Sequence, residues 1–213
     1  MFDFGNRGTL PTSDLPAEAL GEFLAAEMNR RCGASHPRLT ELVPSAAQLA
    51  LECIANSDAL YHNVEHTMLV TLAGHDIFVG RALLSQSTPS DYAHLIIACL
   101  MHDIGYVRGI LKGDGVDGYV IDAEGHKISL PRGSSDAALM PYHVERSKLF
   151  VLDRMHELDA ERIARSIELT RFPATAGDPP NDLDEEGLQD LLIARRTAGP
   201  PQKGEILVNG PAP

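Results

Sequence analysis

The chain of 213 residues has the length of a single domain, and 44% of its residues are hydrophobic, which is enough for a substantial core. Aromatic residues make up only 5%, so that core is predicted to be mainly aliphatic. A formal net charge of −12 argues against a nucleic acid polymer or an anionic membrane as a partner, because both require a basic surface. The sequence shows no signal peptide pattern and no apolar run of about 18 residues, which predicts a soluble cytoplasmic protein without a membrane span.

Four helices are predicted in the first half of the chain, after a loose lead-in over residues 1–13. Each is indicated by an aliphatic pattern that begins after a capping residue and ends at a glycine or a polar loop. The predicted helices cover residues 13–33, 43–60, about 60–84 and 92–105. Pro44 falls near the first turn of the second helix, and Ser90 or Asp91 is predicted to cap the fourth.

The second half begins with a glycine-rich stretch, near residues 108–135, that has little helical period. It is predicted to form a long irregular loop with a short hairpin between Gly118 and Leu130. Helical pattern then returns, and the fold class is predicted as all-α, a single helical bundle over residues 14–175 with this loop and hairpin as an insertion. Residues 176–213 are predicted to form an acidic linker, a short helix and a tail that is either disordered or aberrant.

Two pairs of residues suggest a metal site. His62 and His66 would lie within roughly 40° of each other on one face of a helix, although two surface histidines show the same spacing. His102 and Asp103 follow the apolar run LIIACLM, where a buried helix ends, and an unpaired buried carboxylate is costly. Asp103 could cap a helix or pair with an arginine. Alternatively, it binds a metal together with His66 and His102, because imidazole and carboxylate are ligands of divalent transition metals.

The remaining histidines are assigned different roles. His75 is nine residues after His66, so it faces the opposite side of the helix and is interpreted as a surface or second-face residue. His94 is predicted to pack near His102 without being a ligand. His143 opens a helix directly after the insertion, where it is either a ligand of a second metal ion, a phosphate contact or an ordinary polar residue of a first helical turn.

The motif YHNxxH at Tyr61–His66, followed by HDIG at His102–Gly105, resembles the HD-domain metal-dependent phosphohydrolase superfamily. The YHN element is similar to that of the cyclic-nucleotide phosphodiesterase branch. The resemblance covers about residues 42–172, and it implies an HD-type all-α bundle with the site among its central helices.

The resemblance also implies a role for each motif residue. His66, His102 and Asp103 would bind metal, with Asp103 able to bridge two ions, and His62 would be the general acid that protonates the leaving oxygen. Carboxylates such as Glu65 would keep His62 charged. One or two divalent ions are expected, from among Zn, Mn, Mg, Fe, Ni and Co. They would neutralise the phosphate and supply a metal-activated hydroxide as the nucleophile.

Two further groups of residues are less well defined by the sequence. Relatives carry a final ligand aspartate on a later helix, for which Asp190 is the best counterpart here. They tend to read RAAD near this distance, whereas this chain reads IARRT at Ile193–Thr197. A shifted reading frame from about residue 190 would explain the difference, and the usual fourth ligand would then be lost. Arg132 and Arg146 are predicted substrate contacts by residue type alone.

The leading prediction of function is the metal-dependent hydrolysis of a phosphoester. The enzyme would be a phosphodiesterase or a phosphomonoesterase acting on a nucleotide-like or other small phosphorylated substrate, and the YHN element favours the diesterase. A di-iron oxygenase on the same fold is one alternative, although it would need more histidine ligands. A catalytically degenerate regulatory domain is the other.

Overall fold

The computed structural model describes residues 14–171 except residues 33, 34, 85 and 157. Six α-helices dominate this part of the chain, which confirms the all-α prediction. They are α1 (Asp14–Cys32), α2 (Pro37–Ile54), α3 (Val64–Ala82), α4 (Pro89–Met101), α5 (His143–Arg154) and α6 (Ala160–Glu168). Between α4 and α5 lie short 3₁₀ helices at Ile104–Tyr106 and Asp136–Leu139 and the strands β1 (Tyr119–Val120) and β2 (Lys127–Ile128).

The described residues belong to one compact unit. The lead-in predicted over residues 1–13 lies outside the described residues, and so do the linker, short helix and tail predicted over residues 176–213.

Helix α4 lies at the centre of the fold because it is apolar on nearly every side. It packs against α2, α3 and α6, and its side chains Ile96, Ile97, Leu100 and Met101 are fully buried. Burial of an aliphatic side chain of this size contributes about 1.5–3 kcal/mol, so these contacts fix the position of the helix. The residues that directly follow Met101 are consequently placed in the interior of the protein.

Helix α3 begins later than its sequence pattern predicts. It starts at Val64 rather than near Leu60, because the Asn63 side chain caps it by accepting a hydrogen bond from the backbone N–H of His66 at 3.0 Å. Asn63 itself has an extended backbone, as N-cap residues do. His62 therefore lies in the turn before the helix and not one helical turn below His66 on the same face.

Two other helix starts also differ from prediction. Helix α4 is capped by Thr88, whose hydroxyl accepts from the Asp91 backbone N–H at 3.1 Å, while the Asp91 carboxylate accepts from the Thr88 backbone N–H at 2.8 Å. This reciprocal capping box, and not a cap at Ser90 or Asp91, begins the helix. Helix α2 begins at Pro37, which leaves Pro44 inside it at the cost of one helical hydrogen bond.

The predicted hairpin is present in the insertion. β1 and β2 pair antiparallel, with Tyr119 opposite Ile128 and Val120 opposite Lys127. The connecting turn is stabilised by Asp122, whose carboxylate accepts the backbone N–H of His126 at 2.9 Å. Regular pairing extends over only two residues in each strand, so the insertion relies on contacts with α5 to hold its position, as described below.

Candidate metal centre

The candidate site is built around Asp103, which directly follows the C-terminal end of α4. Its side chain is 2% exposed, and His102 beside it is 7% exposed. The chain then makes one turn of 3₁₀ helix over Ile104–Tyr106. A Cβ at Gly105 would collide with the backbone carbonyl of His143, so glycine at this position allows α5 to approach the turn closely.

Four histidines surround this carboxylate, and together with Asp103 we call them the Asp103 cluster. Nδ1 of His62 lies 2.8 Å from Asp103 Oδ2, Nε2 of His102 lies 2.9 Å from it and Nε2 of His66 lies 3.2 Å from it. Nε2 of His143 is 3.7 Å from the other oxygen, Oδ1. The turn before α3, the first turn of α3, the end of α4 and the start of α5 thus each contribute to one buried group.

The separations within the cluster suit a transition metal ion. Ligand atoms about 2.0–2.2 Å from one ion lie about 2.8–3.6 Å apart in octahedral or tetrahedral geometry. His66 Nε2, His102 Nε2 and Asp103 Oδ2 are 2.9 to 3.3 Å from one another. His62, His66 and Asp103 also offer ligand atoms within 4.8 Å of one another. The donor set therefore fits the divalent ions that imidazole and carboxylate prefer.

The tautomers of two histidines support the same interpretation. His102 Nδ1 lies 2.7 Å from the Cys99 carbonyl oxygen and His143 Nδ1 lies 2.5 Å from that of Met140, so each nitrogen donates its proton there. In a neutral ring the lone pair is then on Nε2. For His102 that lone pair would face the Asp103 carboxylate at 2.9 Å, which is repulsive unless a proton or a metal cation lies between them.

The electrostatics of the cluster also call for positive charge. Burial opposes ionisation of Asp103, but hydrogen bonds from His102, His62 and His66 outweigh it and hold the pKa of the carboxyl well below its usual range. Burial likewise opposes the imidazolium form of His102, yet its bond to Asp103 raises the pKa of His102. At His143 burial dominates and lowers the pKa of the ring. Near neutral pH the site therefore holds an ionised carboxylate beside a neutral His143 imidazole.

His62 is placed by its bond to Asp103 and by aromatic neighbours. The Tyr106 ring stacks on it at a centroid distance of 4.2 Å, and the Tyr61 ring meets it edge-on at 5.0 Å. Its Nε2 has no hydrogen-bond partner among the described residues. The sequence suggested Glu65 as the anion beside His62. Glu65 is exposed, however, and the carboxylate that contacts His62 is that of Asp103.

The structure separates the predicted substrate arginines from this role. Arg146 is fully buried, and its guanidinium binds Asp114 and backbone carbonyls, so it has no donor left for a substrate. Its charge made it look like a phosphate contact, but burial and pairing make it structural. Arg132 is exposed, and no contact joins it to the Asp103 cluster. The predicted fourth ligand Asp190 lies outside the described residues.

The other histidines have separate partners. His75 faces away from His66, as predicted, but it is buried and not a surface residue, with Nδ1 2.9 Å from the Tyr92 hydroxyl. His94 accepts a hydrogen bond from the Asp159 backbone N–H at 3.2 Å and does not contact the Asp103 cluster.

Ser147 contacts the backbone around Asp103, although its sequence position alone predicted no role for it. Its hydroxyl donates to the His102 carbonyl at 2.8 Å. The signal that could have revealed it is the spacing of His143, Arg146 and Ser147, which at i, i+3 and i+4 share one face of a helix.

Within the described residues, none of the helices has the length and apolar character needed to cross a bilayer.

Comparison with known proteins gives a family for the chain. No curated protein and no solved structure matches the sequence significantly. The Npun_R2479-like family matches residues 12–193, which include every described residue and the whole Asp103 cluster. The chain therefore belongs to the Npun_R2479-like family.

Proposed function

We propose that the protein is a metal-dependent phosphohydrolase whose centre is the Asp103 cluster. The observation that carries the proposal is the contact between His102 Nε2 and Asp103 Oδ2 at 2.9 Å, made while the His102 Nδ1 proton is donated to a backbone carbonyl. That arrangement requires a proton or a metal cation between the two atoms, and His66 Nε2 lies 3.3 Å from His102 Nε2, where it would complete a ligand set for a metal. Membership in the family names no reaction, so the likeness to HD-domain phosphohydrolases is part of the proposal.

His66, His102 and Asp103 would hold the first ion. A bound divalent ion supplies Lewis acidity and makes hydroxide available near neutral pH. The second oxygen of Asp103 lies 3.7 Å from His143 Nε2. The Nδ1 proton of His143 is donated to the Met140 carbonyl oxygen. His143 is therefore the side chain that would share a second ion with Asp103, and this favours a ligand role over the other roles that the sequence left open.

His62 has the features of a proton donor to the leaving oxygen. Its Nδ1 lies 2.8 Å from the Asp103 carboxylate, and this contact fixes the orientation of the ring. Its Nε2, with no described protein partner, would carry the transferable proton. The side chain is 20% exposed, so a substrate can reach it. A phosphodiester is the favoured substrate class because the YHN element is similar to that of the diesterase branch.

The direct test is release of p-nitrophenol from bis(p-nitrophenyl) phosphate and from p-nitrophenyl phosphate. The chelated protein would be reloaded separately with Mn, Mg, Zn, Ni or Co. We expect release that requires metal and is faster with the diester. Absence of metal-dependent release with both esters and all five ions would contradict the proposal.

The role of His62 can be tested with His62→Ala, using His126→Ala as the matched control because His126 is an exposed histidine of the hairpin turn. We expect His62→Ala to slow turnover about 10²–10⁴-fold while the protein retains its metal, since a general acid typically contributes that much. His126→Ala should behave like the wild type. Loss of metal from His62→Ala would instead identify His62 as a ligand.

A di-iron oxygenase is the second candidate, and one observation favours it. Four imidazoles surround Asp103, and His143 supplies the additional histidine that such a site would need. The iron-loaded protein would separate the two functions by its absorption spectrum in air. A phosphohydrolase should hydrolyse esters as well with Mn as with iron, and as well without oxygen as in air.

A further inference from the structure

Helix α5 holds the backbone of the turn that carries the metal ligands, residues 102–107. The Ser147 hydroxyl donates to the His102 carbonyl at 2.8 Å and accepts from the Gly105 N–H at 2.9 Å. The Arg146 guanidinium donates to the Gly105 carbonyl at 2.7 Å and to the Val107 carbonyl at 3.0 Å. Two adjacent side chains thus make four hydrogen bonds to the backbone of this one short turn.

The same guanidinium also binds the insertion between α4 and α5. Arg146 contacts both carboxylate oxygens of Asp114, at 3.1 and 2.9 Å, and it donates to the carbonyl of Val120 in β1. Each of its five N–H groups is therefore used, and both side chains of the ion pair are fully buried. One side chain fixes the hairpin insertion and the metal-ligand turn relative to each other.

Helix-end physics explains why the turn needs this support. The last carbonyls of a helix have no partner within the helix, and His102 is the C-cap residue of α4. The Ser147 hydroxyl satisfies its carbonyl in a region from which water is excluded, since Ser147 is fully buried. Without that bond the peptide next to His102 and Asp103 could rotate to find another partner, and both ligands would turn with it.

We propose that Ser147 and Arg146 are positioning residues for the metal centre. They hold His102 and Asp103 at ligand separation, and Arg146 sets the insertion beside the site. This inference rests on the proposed metal-dependent function. It concerns the chain's own hydrogen bonds, and partners that orient metal ligands typically change metal affinity about 10–100-fold when they are removed.

The test compares each variant with a matched control. The control for Ser147→Ala is Ser166→Ala, because Ser166 lies on the exposed side of α6. The control for Arg146→Lys is Arg154→Lys, because Arg154 is 57% exposed at the end of α5. For each protein, titration calorimetry with Zn or Co at a temperature where the protein is folded gives the metal affinity. Thermal unfolding of the metal-free protein gives Tm, and the diester assay gives kcat and KM separately.

We expect Ser147→Ala to weaken metal binding about 10–100-fold and to lower kcat more than it changes KM. Arg146→Lys should do the same, because a lysine cannot make five directed bonds. Both controls should match the wild type. A lower Tm with unchanged metal affinity in Ser147→Ala would overturn the inference, since that is the result of a purely structural role.

Two further results keep the test decisive. If Arg146→Lys does not fold, Ser147→Ala decides, because it removes only one hydroxyl. If the wild type itself binds none of the metals, the proposed function fails and this inference fails with it. If the wild type binds metal and Ser147→Ala binds it equally tightly, only the inference fails.

Discussion

Within the part of the chain that the structure describes, two groups of side chains could hold a metal ion, and they differ in burial and in how far apart their members lie in the sequence. The Asp103 cluster is buried and draws its members from four segments separated by up to 81 positions, from His62 to His143. The second group, which we call the hairpin group, consists of Asp122, Glu124 and His126 in the exposed turn between β1 and β2. Nδ1 of His126 lies 2.7 Å from Asp122, but its side chain is 72% exposed.

The difference shows that the convergence and burial of ligand residues indicate a functional site better than their mere presence does. In the hairpin group, water solvates each charge, and the contact of Asp122 with His126 also serves the turn itself. In the Asp103 cluster, an ionised carboxylate is removed from water, which is costly unless positive charge compensates it. Folding alone would be simpler with an apolar residue there, so the buried arrangement indicates a function.

The largest expected effect distinguishes these groups directly. Asp103→Asn should weaken binding of Zn or Co by more than about 100-fold and abolish metal-dependent hydrolysis, because it removes the charge that the ligands share. Asp122→Asn should leave both unchanged. Titration calorimetry and the diester assay measure the two properties. The distinction between the groups would be wrong if Asp122→Asn reduced metal affinity as strongly as Asp103→Asn.

A smaller but still substantial effect is expected at the contact between α5 and the turn after Asp103. Gly105→Ala places a methyl group against the His143 backbone carbonyl, and such overpacking typically costs about 1–3 kcal/mol. We expect a lower Tm and weaker metal binding. Gly80→Ala is the control because a Cβ there meets no atom within 4 Å, and it should stabilise α3 by about 0.5–1 kcal/mol. Equal Tm changes in both variants would contradict the assigned contact.

The smallest effect concerns the other end of α4. Hydrogen bonding by the Thr88 backbone N–H, and then by the Arg162 and Thr88 side chains, lowers the pKa of Asp91 to about 2. A lowered pKa in the folded state means that the stabilisation is present above the unfolded pKa of about 3.9 and is lost as the pH falls through about 2.

Asp91→Asn should therefore lower stability at pH 7 by a few tenths to about 1 kcal/mol, which is the usual contribution of an exposed acid in the first turn of a helix. The difference in Tm between variant and wild type should shrink as the pH falls towards 2. Metal affinity should not change, because the effect lies at the end of α4 remote from Asp103. A Tm difference that widened in acid would show that the sign is wrong.

Much of the fold could be predicted from local patterns. The aliphatic period of the helices, the hairpin in the insertion and the buried end of the helix before His102 are each encoded within a few residues. The starts of α3 and α4 differ from prediction because the side chains of Asn63 and Thr88 cap these helices, whereas α2 begins at Pro37 without a side-chain cap. At Asn63 one side-chain bond moved the start of α3 past His62.

The sequence by itself determined the inventory of the site: a histidine and an aspartate at the end of an apolar helix, and a histidine pair upstream. Only the tertiary structure decided which members meet. His66 and His75 lie on the same helix, yet one faces Asp103 and the other faces Tyr92. Arg146 looked like a phosphate contact until its five bonds were seen to be made within the core. The physical reason is that the role of a charged side chain depends on its partners. Partners that are distant in sequence become neighbours only when the helices pack.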